Sequence, residues 1–336
     1  MRFIGDSVSA SFLWESGTYS VVSGARQWIG MVQEGTVDES TNVIPVRYLS
    51  TATRNVSQWV DGAKDVAFNF SYFPQDWRML VFALGSNVDA GSPSPYTHVI
   101  SEVNSASGGL HTSGTMNPFT SYQLELAHKG GATGENFIRT LIGCNTNSLT
   151  INASQGEIIS VDVEGIAQDA VTTSGAITLA TEDTTRPFMW RDVKVHIPSG
   201  TVIPEVKQMS FSVNNNMEAP HYLNGSQVIA PPIPLGRDYE VSLTLDATSE
   251  NTKTFHESYF LGGSMLNQGT GSEFNMMIEI NASAGSRDAF FVLSGCKMLD
   301  LELPNPIEGV TETSLTIRPK NCIVNVNDAT QIYNAH

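Results

Sequence analysis

Residues capable of chemistry are present in this chain, but their spacing does not assemble them. Histidines at positions 98, 111, 128, 196, 221, 256 and 336 are scattered, with no His-x-x-x-His or Cys-x-x-Cys pair to start a zinc site. There is no Gly-x-Ser-x-Gly turn to present a nucleophilic serine, and no Gly-x-x-x-x-Gly-Lys-Ser/Thr loop to cradle a phosphate. Gly269-Thr270-Gly271 is only a fragment of such a loop and reads as a turn. His221, after Pro220, sits in a polar stretch leading from a strand. Asp and Glu are plentiful, but no pair stands out as an acid and base couple. The expectation is a protein without catalysis, metal or cofactor.

What recurs instead is architecture. Leu141-Ile142-Gly143-Cys144, followed by Leu149, Ile151, Gly156, Val161 and Val163, is echoed by Leu293-Ser294-Gly295-Cys296, then Leu301, Leu303, Gly309, Leu315 and Ile317. The spacing drifts from 152 residues (Cys144 to Cys296) to 153 (Gly156 to Gly309) and 154 (Val163 to Ile317), as two single-residue insertions would produce. Upstream, Val66-x-Phe68-x-Phe70 is matched with Val241-x-Leu243-x-Leu245, period-two strand patterns each followed by a helical spacing that ends in Gly-Ser. In the first copy that helix spans Phe73 to Leu84, with proline early, Trp77, Leu80, Val81 and Leu84 on one face, and Gly85 as the stop. Leu124-Glu125-Leu126 and Ile278-Glu279-Ile280 then pair as strands carrying an acid between apolar neighbours. These glutamates belong either to a solvated outer face or to a face lining a shared channel.

The order strand, helix, strand, strand pair implies a duplicated domain. Residues 1–25 form an N-terminal arm carrying Phe3, Phe12, Trp14 and Tyr19, either a terminal strand on its own domain or an arm docked on a neighbour. Residues 26–168 form the first domain, 169–186 a linker, and 187–336 the second domain. Each has about seven short strands and one helix, so the fold class is mainly β: two tandem sandwich or barrel domains, each with a flanking short helix. The first copy carries a long Gly, Ser and Pro-laden loop over 87–121, read as a surface excursion.

Composition sets the outer limits. The chain has 336 residues, 40% of them apolar, enough for two cores. Only 15% are charged, and the excess of Ser, Thr, Asn and Gly suits β-strands with polar, uncharged faces. The net charge of −16, from 34 acidic and 18 basic residues, excludes nucleic-acid binding by phosphate neutralisation. No apolar signal core opens the sequence and no stretch is long enough to span a bilayer, so a soluble protein is expected. Cys144, Cys296 and Cys322 are read as buried thiols, and five Asn-x-Ser sequons as compositional noise.

Trp14-Glu15-Ser16-Gly17-Thr18-Tyr19 leading to Ile29-Gly30-Met31-Val32-Gln33-Glu34, Val206-x-x-Met209-x-Phe211-x-Val213-Asn214-Asn215-Asn216-Met217-Glu218, Tyr222-Leu223, the strand-helix-Gly-Ser block and the closing Gly-Cys strand pair together resemble the tail tube proteins of long-tailed phages and related archaeal viruses. The likeness is to the type with a doubled tube domain. It implies a virion protein of the tail, assembled in the host cytoplasm, whose partners are itself, as trimeric pseudo-sixfold rings stacked into a tube, and other tail proteins (tape measure, terminator, baseplate or tip). DNA would pass through the bore without specific binding. Under this resemblance Glu125 and Glu279 become lumen-facing candidates, and Phe3, Phe12, Trp14, Tyr19, Tyr96 and His98 candidates for ring-to-ring contacts. Two other readings compete: an adhesin-like or carbohydrate-binding double sandwich using Trp59, Trp77 or Trp190, and an all-β glycosidase with paired carboxylates.

Overall fold

The computed structural model describes residues 8–15, 19–47, 55–91, 95–103, 121–130, 135–223, 225–247, 254–260, 273–282, 287–302 and 311–329. The first half runs β1 (Val8–Glu15), β2 (Val22–Trp28), β3 (Met31–Val46), β4 (Gln58–Phe73), helix α1 (Met79–Leu84), β5 (Gly85–Ala90), β6 (Tyr96–Glu102), β7 (Tyr122–His128), β8 (Phe137–Ser154), β9 (Ser160–Ala167) and β10 (Asp169–Thr173). The second half runs β11 (Val193–His196), β12 (Val202–Ile203), β13 (Val206–Asn214), β14 (Met217–Glu218), β15 (Ile233–Pro234), β16 (Asp238–Asp246), a single helical turn Phe255–Phe260, β17 (Phe274–Ala282), β18 (Arg287–Glu302), β19 (Glu312–Arg318) and β20 (Asn321–Asp328). Alternating burial along β9, β16 and β17 is the period-two pattern that one packed face and one polar face require.

Pairing is antiparallel throughout the named sheets. One long sheet crosses the whole chain in the order β3-β4-β9-β8-β13-β16-β19-β18. Two shorter sheets cover it: β2-β1-β7-β8-β10 over the first half, and β12-β11-β17-β18-β20-β6-β5 over the second. The fold is therefore a mainly β sandwich. Strands β8 and β18 serve both layers, turning the corner at Gly143 and Gly295, each with φ of 63°. Only glycine adopts that backbone cheaply, which explains why the Gly-Cys pair recurs.

Most strands of the first half have a counterpart in the second, β1–β4 with β11, β12, β13 and β16, and β7–β10 with β17–β20, in a register that differs from the sequence alignment. Irregularities fall between Thr146 and Ser148 in the β8–β9 ladder and between Met298 and Asp300 in the β18–β19 ladder. With these superposed, Leu149 matches Leu301 and Val163 matches Leu315, a constant 152, so the drift to 154 does not exist. Phe68, not Val66, corresponds to Val241, since Gly165 faces the one and Ile317 the other. In the cover sheets Leu124 corresponds to Met276 and Glu125 to Met277, so Glu125 and Glu279 are not equivalent. A strand pattern of period two can slip by two residues without turning any side chain to the wrong face.

Three other expectations change. The 87–121 segment is no simple surface excursion: β6 within it forms a hairpin with β5 and pairs with β20, extending the second half's cover sheet. The 169–186 linker begins as β10, paired to β8. Helix α1 is shorter than the 73–84 stretch its spacing suggested: β4 runs to Phe73, Trp77 precedes the helix, and only Met79–Leu84 is helical, with all six residues buried and Gly85 (φ 100°) ending it. One continuous core joins both halves. Trp77 of the first half stacks on Phe188 at 5.2 Å and meets Phe291 edge-on at 5.5 Å.

Candidate functional site

The long sheet has one face packed on the core and one facing out, and the outward face is the feature to explain. Its strands turn Val66, Phe68, Phe70, Leu149, Ile151, Val161, Val163, Phe211, Val241 and Leu315 inward. The alternate positions point away: Glu34, Asp38 and Ser40 on β3, Asp65 and Asn69 on β4, Asp162 and Glu164 on β9, and Thr150 and Asn152 on β8. On the second half they are Ser210 and Ser212 on β13, Glu240 and Asp246 on β16, Glu312 and Thr316 on β19, and Asp300 and Glu302 on β18. The result is a broad polar wall of hydroxyls, amides and carboxylates. Two of its cations are already matched: Lys207 reaches Asp246 at 2.6 Å and Glu312 at 2.8 Å, and Arg318 lies 3.5 Å from Glu240. Those carboxylate hydrogen bonds raise the Lys207 ammonium above its ordinary value.

The halves meet in the middle of this wall. β8 pairs with β13 from Ser148↔Asn214 to Ser154↔Gln208 without interruption. Its outward pairs are uncharged, Thr150 with Ser212 and Asn152 with Ser210, the last joined by a 2.9 Å hydrogen bond. Behind the joint, Asn215 donates to the carbonyls of Ala83 and Thr146 at 3.0 Å each, and Arg237 donates to Asn215 Oδ1 at 2.8 Å and to the Leu84 carbonyl at 3.3 Å. Second-half side chains thus satisfy the orphan carbonyls at the end of α1. At the two ends of the wall, among the described residues, β3 pairs only with β4, and the last six residues of β18 only with β19.

The residues singled out from sequence fall elsewhere. Glu125 is 5% exposed on the first cover sheet, where Arg26 grips it with bonds of 2.9 and 2.7 Å. Glu279 lies on the second cover sheet beside Lys194 at 3.0 Å and His196 at 3.3 Å. Burial alone would raise its carboxyl, but the Lys194 ammonium and the hydrogen bond with His196 hold it below the usual range. Both glutamates therefore sit in the layer behind the wall, already neutralised.

Phe12, Trp14 and Tyr19, expected to reach across rings, are 0%, 3% and 8% exposed. Of the two readings of the N-terminus, β1 is the strand packed on its own domain: Phe12 and Trp14 flank Phe82 of α1 at 5.5 and 4.7 Å. Glu15, beside them, accepts from the backbone N–H groups of Ser20 and Gly143 at 2.8 Å and from the Ser121 hydroxyl, tying β1 to the β8 corner. Burial pushes its carboxyl up despite these donors.

His98 is fully buried, its Nδ1 2.6 Å from Asp89 and its Nε2 3.3 Å from Asp328, so it clasps β5, β6 and β20 together. Burial works against its charge, but the hydrogen bonds to Asp328 and Asp89 prevail and raise its pKa. Tyr96 is half-buried on the same hairpin, and Phe3 lies outside the described residues. Of the tryptophans proposed as stacking platforms, Trp77 is buried, whereas Trp59 and Trp190 are 62% and 40% exposed.

The wall itself was within reach of sequence reasoning. Asp162 and Glu164 alternate with Val161, Val163 and Gly165, and the same alternation marks β16 and β19. What the pattern lacked was any sign of which sheet is shared between the halves.

Two comparisons with known proteins complete the picture. Residues 18–320 match the family described as phage tail tube protein. No curated protein matches the chain. The fold is a two-layer β structure with one sheet running unbroken through both halves, and with the family match extending over most of its length, the chain belongs to the phage tail tube protein family, a structural component of the viral tail.

Proposed function

We propose that the chain polymerises head to tail through the two open edges of its long sheet, that three copies close a ring, and that stacked rings form the conduit through which viral DNA leaves. The observation that carries this reading is the unbroken eight-stranded sheet with, among the described residues, an unpaired edge at each end and a polar, carboxylate-bearing outer face. Each half supplies four strands in the same order, so three chains do the work of six and the ring is pseudo-sixfold. Twenty-four strands spaced ~4.8 Å apart give a backbone circle ~37 Å across before strand tilt widens it, room enough for a DNA duplex. Closing the ring removes both sheet edges, which would otherwise recruit strands indiscriminately.

In this arrangement the wall lines the bore. Asp162, Glu164, Glu240 and their neighbours, rather than Glu125 and Glu279, then face the DNA, and their charge repels phosphate where clustered Lys and Arg would hold it. Stacking is heterologous, top on bottom, and so gives an open filament. With Phe12, Trp14 and Tyr19 spent on the chain's own core, the exposed Val43, Ile44, Trp59 and Val60 of the β3–β4 ribbon are the better ring-to-ring surface. The tape measure, the terminator and the baseplate or tip are the expected partners at the tube ends, with assembly in the host cytoplasm. Negative-stain electron microscopy of the purified chain tests the reading: rings or tubes with a central hole are expected, and discrete particles the size of one chain at every concentration would refute it.

A further inference from the structure

The joint inside the chain is a template for the joint between chains. Irregularities in the β3–β4 and β13–β16 ladders coincide, between Val32 and Glu34 and between Val206 and Gln208, so Asp38 stands where Ser212 stands and Ser40 where Asn214 stands. By the same superposition Asp300 occupies the place of Ser148, and Glu302 that of Thr150. We propose that β3 of one chain pairs with the end of β18 of a second copy in the β8–β13 register, setting Ser40 opposite Asp300 and Asp38 opposite Glu302, and that this carboxylate-facing seam makes ring closure depend on charge screening. This rests on the tube reading above and adds to it a register and a control point.

The contrast between the two joints is what makes the second one conditional. Inside the chain the outward pairs are Asn214 with Ser148 and Ser212 with Thr150, none of them charged. Transposed to the seam, the same positions hold three carboxylates and one hydroxyl, and Asp65 lies opposite Ser40 on β4. Like charges directly opposite in an antiparallel pair oppose its formation, and salt weakens exposed pairs of this kind. Two chains meeting at low ionic strength thus encounter a repulsion that the two halves of one chain never face. Complementary edges supply the attraction, and the carboxylates set the conditions under which it prevails.

The test uses the full-length chain. Its critical concentration for assembly is followed by light scattering and electron microscopy from ~0.05 to ~0.5 M NaCl, a range over which the screening length falls about threefold. The wild type is expected to assemble more readily as salt rises. Asp38→Asn/Glu302→Gln should assemble at about fivefold lower concentration in low salt and lose most of the salt dependence. A Ser40→Cys/Asp300→Cys chain, with partner Cα atoms within disulfide reach, should form covalent oligomers on oxidation ending at a closed trimer. The native thiols are all buried and do not compete. Tubes that form equally at every salt concentration, or that form without any 40–300 cross-link, would overturn the seam and leave the tube reading intact. Single chains in all conditions and variants would overturn both.

Discussion

At the scale of single residues, the histidine expected at a ring-to-ring contact is a structural clasp. His98 sits between Asp89 and Asp328 with no exposed surface, holding the first half's hairpin against the second half's β20. Its pKa is raised in the fold, so the charged clasp contributes stability fully below the unfolded value of about 6.5, and that contribution is lost as pH rises through the raised folded value. His98→Ala should cost about 3 kcal/mol at pH 6, the low end of what breaking a buried pair costs, because Asp89 is partly exposed. The gap between wild type and variant in urea midpoint should narrow at pH 9, and a gap independent of pH would mean that packing, not charge, is what the ring supplies. No motif announced this residue, because Asp328 lies 230 positions from it and only the hairpin brings the two together.

At the scale of elements, the corners made by β8 and β18 show what one sequence can and cannot disclose. The repeated Gly-Cys pair was legible, because positive φ confines the choice to glycine whatever surrounds it. Strand existence was legible for the same kind of reason, and β7 runs from Tyr122 to His128 as its alternation indicates. Register was not. Matching Leu124-Glu125-Leu126 with Ile278-Glu279-Ile280 preserved every face and still missed by two residues, since only bulges and cross-strand partners distinguish such slips. The partnership of β6 with β20 was hidden too, because edge pairing leaves no local pattern. The corners themselves yield a differential prediction. A Cβ at Gly143 would lie 2.7 Å from the ring of buried Tyr19, whereas at Gly295 it would meet only the flexible Lys320 chain at 2.8 Å. Gly143→Ala should therefore cost ~2–4 kcal/mol, combining left-handed strain with overpacking, and Gly295→Ala only ~1 kcal/mol. Urea unfolding of the two variants checks the order, and equal losses would contradict the rigid contact with Tyr19.

At the scale of the whole molecule, the acidic balance acquires a location. The formal charge of −16 is not spread evenly: the outward face of the long sheet carries Asp162, Glu164, Glu240, Asp300 and Glu302, whereas the glutamates favoured from sequence are paired with cations in the cover layer. On the proposed tube reading these carboxylates act on passing DNA at a distance, which calls for a continuous surface and no binding pocket. That surface exists within one chain because β8 and β13 join, and around a ring only if β18 and β3 do the same. On the proposed reading, this face is the wall of the bore. Electron cryomicroscopy of assembled tubes measures it directly: eight strands per chain are expected to line the lumen, with Asp162 and Glu164 projecting into it and Glu125 and Glu279 in the layer outside. A lumen lined by the strands of the cover sheets would contradict it.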